Sequence, residues 1–171
     1  MHLPDKWGDL YQLSYITRDM DAAIAHCRRE LGVETFHVGE NPAEVIAGGT
    51  RQTLVVKAAI ANFGRHQFEL IQPVSGPIHH YDNVLGEGSG LINFHHIAIA
   101  VRGGFENWQA LVAELDASGD EIAFISAPET LDPPMVAFCY VDTRHRLGHY
   151  TEYLWWHESL ASLPSFPNLD A

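Results

Sequence analysis

The sequence predicts an α+β fold built from two tandem βαβββ modules, forming a curved mixed sheet around a shared cleft. Three observations carry this. The order strand, helix, three strands can be read twice along 171 residues. A Pro-, Gly- and Ser-rich stretch separates the two readings. Polar residues at matching strand places recur at a nearly constant offset, Gln12 to His96 over 84 positions and Glu69 to Glu152 over 83. We expect one domain over 1–171, with module 1 at about 9–73, a linker at about 74–91, module 2 at about 92–156 and a tail at 157–171.

The first element, LYQLSYIT, alternates Tyr11, Leu13 and Tyr15 against Gln12 and Ser14, the period of a strand. RDMDAAIAHCRRELG follows as a helix of about three turns, with Asp19 as N-cap, Asp21 in the first turn, Arg28 and Arg29 near the end and Gly32 as the stop. ETFHVGE, RQTLVVKAAI and RHQFELIQP then read as strands, with breaks expected at the nearby NP, GG and FG pairs. PVSGPIHHYDNVLGEGSG has no sustained period and reads as the linker, which leaves His79 and His80 solvated.

The second half repeats the plan. FHHIAIAV is a strand, and FENWQALVAELDASG is a helix with an apolar stripe of Phe105, Trp108, Leu111, Val112 and Leu115. EIAFIS, MVAFCYVD and HYTEYLWW are strands, and HESLASLPSFPNLDA is a capping tail or a partner contact.

Composition narrows the function. A net charge of −12 argues against nucleic acid and anionic membrane partners. Two cysteines, Cys27 and Cys139, both in apolar segments, read as buried free thiols, which fits a reducing, cytoplasmic setting. The opening MHLPDKWGDL has no apolar run, so no secretory leader is expected, and LVVKAAIANF is too short to span a bilayer.

Strand alternation assigns faces. Ile97, Ile99 and Val101 share the helix side, with His95 as a structural residue there, while His96 points away between the small Ala98 and Ala100. Glu69 points away from Phe68 and Leu70, Glu152 from Tyr153 and Trp155, and Gln12 from Leu13. Four polar groups therefore fall on the faces that the two halves turn towards each other. Taken singly, His96 reads as a core histidine and Glu152 as a partner of Arg144 or Arg146. Taken together, two buried carboxylates would repel and resist ionisation, and a divalent cation removes that cost. Two carboxylates, one imidazole and one amide oxygen suit a borderline or hard metal, so the cleft is read as metal-binding.

The stretches QLSYITRDMDAAI, FELIQPVSGP, GLINFHHIAIAV and YVDTRHRLGHYTEYL, in this order, resemble the vicinal oxygen chelate superfamily over roughly residues 9–156. That superfamily includes glyoxalase I, methylmalonyl-CoA epimerase, extradiol dioxygenases and bleomycin-resistance proteins. ELIQPVSGP with GEGSGLINFHHIAIAV most resembles the epimerase-like glyoxalase branch. The resemblance implies Gln12, Glu69, His96 and Glu152 as ligands of one divalent ion (Zn, Ni, Co, Mn or Fe). Gln at the first place departs from the epimerases, and a single His at a ligand place counts against oxygen chemistry. It further implies a lyase or isomerase that binds a substrate carbonyl or vicinal oxygens and shuttles an α-proton through an enolate or enediolate, with Glu152 first and Glu69 second as base. The alternative is a non-catalytic small-molecule binding or drug-sequestration protein of the bleomycin-resistance type. Phe94, Phe138, Tyr140, Tyr150 and Trp156 are the expected pocket walls, suited to a small hydrophobic or aromatic carbonyl substrate. Modules of this kind often pair between chains, so a homodimer is expected.

Overall fold

The computed structural model describes residues 4–127, 133–163, 166 and 169. After a single turn, α1 (Pro4–Trp7), the first half runs β1 (Gly8–Ile16), α2 (Met20–Leu31), β2 (His37–Ala47), β3 (Thr50–Phe63) and β4 (His66–Ser75). A helix, α3 (His79–Glu87), leads into the second half. That half runs β5 (Asn93–Val101), α4 (Phe105–Ser118), β6 (Ile122–Ser126), β7 (Val136–Val141), a short α5 (Arg144–Leu147) and β8 (Tyr150–Trp156). A 3₁₀ turn at Glu158–Leu160 follows.

The strands close into a barrel in the order β1-β4-β3-β2-β6-β7-β8-β5. The pairs β1–β4 and β5–β8 are parallel, so the sheet is mixed. The two halves join along β1–β5 on one side. On the other, Val45 and Ile46 of β2 pair with Ser126 and Ile125 of β6, and the Ala127 amide donates to the Glu44 carbonyl at 2.7 Å.

The helices form as their sequences require. Asp19 caps α2, its side chain accepting from the Ala22 amide at 3.0 Å, and Gly32 stops it in the left-handed region at φ 68°. Met20, Ala23 and Cys27 of α2 pack on Ala59, Ala61 and Leu70. Trp108, Leu111 and Leu115 of α4 pack on Ile99, Val101, Cys139, Tyr153 and Trp155. Both cysteines are buried free thiols. Among the described residues no helix is long and apolar enough to cross a membrane.

Four local expectations fail, each for an identifiable reason. First, Pro42 does not break the chain. It lies inside β2 opposite Val55, at a level where no pairing to β6 exists, so its missing N–H faces an open edge. Second, the linker contains α3, whose His80, Tyr81 and Leu85 are buried at one end of the barrel. Tyr81 and Leu85 pack there with Ile16, Ile71, Phe124 and Tyr140. His80 is thus not solvated, whereas His79 is exposed. Third, the β1–β5 register shifts between Leu10 and Gln12, so Tyr11 is an extra residue. It turns inward against Ala98 and Ala100, while Leu13, expected on a helix, is 44% exposed. Fourth, the same ladder shifts between Ser14 and Tyr15, leaving His95 unpaired on β5. His95 therefore turns towards Tyr81 of α3 rather than towards α4.

Candidate metal and substrate site

The four sequence-selected donors stand on four adjacent strands. One row across the sheet places Glu69, Ser14 and His96 side by side on β4, β1 and β5. The next row on the same face places Gln67, Gln12, Ala98 and Glu152 on β4, β1, β5 and β8. Gln12, Glu69, His96 and Glu152 are all buried, His96 with no exposed surface at all. His96 Nε2 lies 3.2 Å from Glu152 Oε2 and 3.8 Å from Glu69 Oε2.

The pairings open to Glu152 from sequence are closed. Arg144 is committed to Asp142 at 2.7 Å and Arg146 to Asp120 at 2.8 Å. Glu152 instead has the Tyr140 hydroxyl as a hydrogen-bond partner. Glu69 Oε2 accepts from Ser14 Oγ at 2.8 Å. Gln12 Nε2 donates to Gln67 Oε1 at 3.1 Å, and Gln67 Nε2 in turn donates to Asn62 Oδ1 at 2.9 Å. This amide chain leaves Gln12 Oε1 buried with no hydrogen-bond partner among the described residues, and His96 Nε2 is in the same condition. His80 Nε2 and His95 Nε2 are orphaned as well, but His96 Nε2 is set apart by its two carboxylate neighbours at 3.2 and 3.8 Å.

Burial pushes the Glu69 carboxyl up to about 8, reinforced by Glu152 and opposed by Ser14. Burial also pushes Glu152 up to about 8, opposed by its bond with Tyr140. His96 is driven down to about 3 by burial, with a smaller contribution from His149, so its imidazole is neutral at ordinary pH. The site thus gathers two carboxyls that ionise reluctantly, a neutral imidazole and an unsatisfied amide oxygen.

Among the described residues no three His, Cys, Asp or Glu side chains stand, as placed, in a ready-made metal-holding arrangement. The chemistry of the donors nevertheless fits a divalent cation. Metal–N and metal–O bonds of about 2.0–2.2 Å put two ligands of one ion roughly 3 Å apart, close to the His96–Glu152 separation of 3.2 Å. A cation would satisfy both orphaned atoms and remove the cost of ionising Glu69 and Glu152.

Gln12, Glu69 and Glu152 line a cleft of about 450 Å³, and the fully buried His96 lies against the two carboxyls. Its walls include Tyr11, Leu54, Val56, Ile60, Phe138 and Leu154, with Asn41, Pro42 and Ala43 contributed by the part of β2 that is not paired to β6. Of the aromatics selected from sequence, Phe138 and Tyr140 line it. Trp156 stands behind the wall, edge-on to Tyr11 at 5.9 Å and against Phe166 at 5.2 Å. Phe94 lies outside, 38% exposed between Tyr15 and His149, because the extra residue at His95 flips the alternation. Tyr150 is inside the barrel but under α3, stacked on His95 at 4.8 Å and separate from the cleft. Sequence reasoning missed Ser14, Gln67 and Tyr11. The shared faces of Gln12 with Ser14 and of Glu69 with Gln67 were the available signals for two of them; no local signal marks Tyr11.

Residues 11–137 match the model of the glyoxalase/bleomycin resistance protein/dioxygenase superfamily. The chain belongs to that superfamily. Comparison with curated proteins gives no significant match. Among solved structures, a variant of Streptomyces coelicolor methylmalonyl-CoA epimerase in complex with 2-nitronate-propionyl-CoA is similar at TM-score 0.58 and 16% identity, covering 89% of this chain and 96% of the other. The Mycobacterium tuberculosis methylmalonyl-CoA epimerase is similar at TM-score 0.53 and 16% identity, over 90% and 91% of the two chains. A hypothetical protein from Bacillus halodurans is similar at TM-score 0.55 and 17% identity, over 88% and 96%. At these identities the likeness is one of fold.

Proposed function

We propose that the chain is a metal-dependent lyase or isomerase that moves a proton next to a substrate carbonyl, with Gln12, Glu69, His96 and Glu152 holding one divalent ion. The observation that carries this is the pair of orphaned atoms, Gln12 Oε1 and His96 Nε2, set on one face of the sheet with two buried carboxyls. Bound there, the ion would act as a Lewis acid on neighbouring substrate oxygens and make the adjacent C–H more acidic. His96 and Gln12 orient; they have no proton to exchange in the working pH range. Glu152 takes the α-proton at a carboxylate oxygen as the C–H bond breaks, and the electron pair passes towards the substrate's own carbonyl oxygen. The same carboxyl then returns the proton to carbon, so no oxidant or second reactant is consumed. Glu69 is the second choice for this role, since Ser14 ties one of its oxygens to β1.

The substrate is a small neutral hydrophobic or aromatic carbonyl compound. The described residues include all ten lysines and arginines of the chain, and none lines the cleft. A CoA thioester brings phosphates that call for cationic partners, so the ligand of the epimerase structures is not the expected one here. The test is proton exchange into a panel of neutral α-hydroxy and α-keto carbonyl compounds in D₂O, followed by NMR, with protein loaded with Zn²⁺, Ni²⁺, Co²⁺ or Mn²⁺. Exchange that is abolished by Glu152→Gln and slowed by Glu69→Gln supports the reading. Tight binding of these compounds by metal-stripped protein, with no exchange in any loaded form, would replace it with sequestration of the bleomycin-resistance type.

A further inference from the structure

We infer that His95 is a positioning residue that fixes which nitrogen of His96 faces Glu69 and Glu152. The inference goes beyond the proposed function but rests on its metal reading of the four-donor site. His95 is the residue left unpaired where the β1–β5 register shifts, and the bulge brings two consecutive side chains to the interior. Its Nδ1 lies 2.9 Å from His96 Nδ1. Its ring is locked from the other side, stacked on Tyr150 at an interplanar angle of 17° and packed against Tyr81 at 4.8 Å. Both imidazoles are buried to 1% exposure or less.

Two neutral imidazoles joined through their Nδ1 atoms have one donor and one acceptor. His96 Nε2 stands 3.2 Å from Glu152 Oε2 without a well-aligned hydrogen bond, and the metal reading on which this inference rests requires its lone pair to be free. The shared proton therefore belongs to His96 Nδ1, and His95 Nδ1 accepts it. His95 then carries its own proton on Nε2. The His80 carbonyl is within reach of the His95 ring, although Nε2 completes no well-aligned bond in this conformation. The resulting order is His80 carbonyl, His95, His96, carboxylates. It leaves His96 Nε2 aimed at the carboxylates with its lone pair free, the state that a metal ligand needs, and the outer partner is what sets it.

The test separates the hydrogen bond from the packing. His95→Phe keeps a ring on Tyr150 and removes the acceptor. His95→Asn removes the ring and keeps an acceptor near the position of Nδ1. Two readouts are taken on folded protein: the His96 tautomer by long-range ¹H–¹⁵N NMR without metal, and Zn²⁺ affinity by competition with a chromophoric chelator. The expected results are an Nδ1–H tautomer for His96 in the wild type, a mixed or Nε2–H tautomer with roughly 10–100-fold weaker Zn²⁺ binding in His95→Phe, and recovery of both in His95→Asn. An Nε2–H His96 in the wild type, or an unchanged tautomer and Zn²⁺ affinity in His95→Phe, overturns the inference. If the wild type binds no Zn²⁺ at all, the proposed function fails, while the tautomer measurement still decides the role of His95.

Discussion

Replacing Glu69 by glutamine in metal-free protein should stabilise it at alkaline pH and leave it unchanged at acid pH. Glu69 is 9% exposed, and its carboxyl is raised from an ordinary value of 4.5 to about 8 by burial and by Glu152. The folded state therefore holds a proton that the unfolded chain has lost between pH 4.5 and 8. Stability from this group is intact below pH 4.5 and is lost as pH rises to 8. At about 1.36 kcal/mol per pH unit, the full rise sets a ceiling of about 5 kcal/mol. Side-chain relaxation and water entry bring the expected gain to roughly 2–3 kcal/mol. The assay is urea unfolding followed by tryptophan fluorescence, with EDTA present, at pH 5 and pH 8.5. A gain confined to pH 8.5 is expected. Equal stability at both pH values, or a loss at pH 8.5, would show that Glu69 is already compensated and that the site has no need of a cation.

Other outcomes follow from the same physics. Metal-free wild-type protein should lose stability between pH 6.5 and 8, where folded Glu69 and Glu152 still hold protons that the unfolded chain has released, and Zn²⁺ should flatten that slope in pH-dependent melts. Between pH 4.5 and 6.5 this gain on acidification should be nearly cancelled, because His96 and His80, lowered to about 3 and about 2, take up protons on unfolding, and stability should fall only below pH 4.5. Leu111→Ala, at 1% exposure under α4, should cost about 2–5 kcal/mol in urea titration with little change in metal affinity. Asp19→Ala should cost about 1 kcal/mol through the lost α2 cap, measured the same way.

What the sequence made legible was whatever depends on local periodicity. The Asp19 and Gly32 caps, the Trp108–Leu111–Leu115 stripe and the outward turn of Glu69 and Glu152 from their helices all obey it. A bulge breaks such reasoning, because one extra residue reverses every later side chain. That is why Tyr11 turned inward, Phe94 left the pocket and His95 joined His96. The helix α3 was hidden because it is only nine residues long, contains Gly86 and has no side-chain N-cap. The cleft walls from β2 and β3, and the Gln67 and Ser14 partners, depend on strand register across the barrel, to which a single strand's pattern is blind.

The central claim is that four side chains from duplicated strands hold one divalent ion. It is tested most directly by metal analysis of protein stripped, reconstituted with Zn²⁺ and desalted, alongside His96→Ala and Glu152→Ala variants shown to be folded. The account expects one ion per wild-type chain and none in either variant. Wild-type protein free of metal above background, or variants that retain the ion in full, would contradict it.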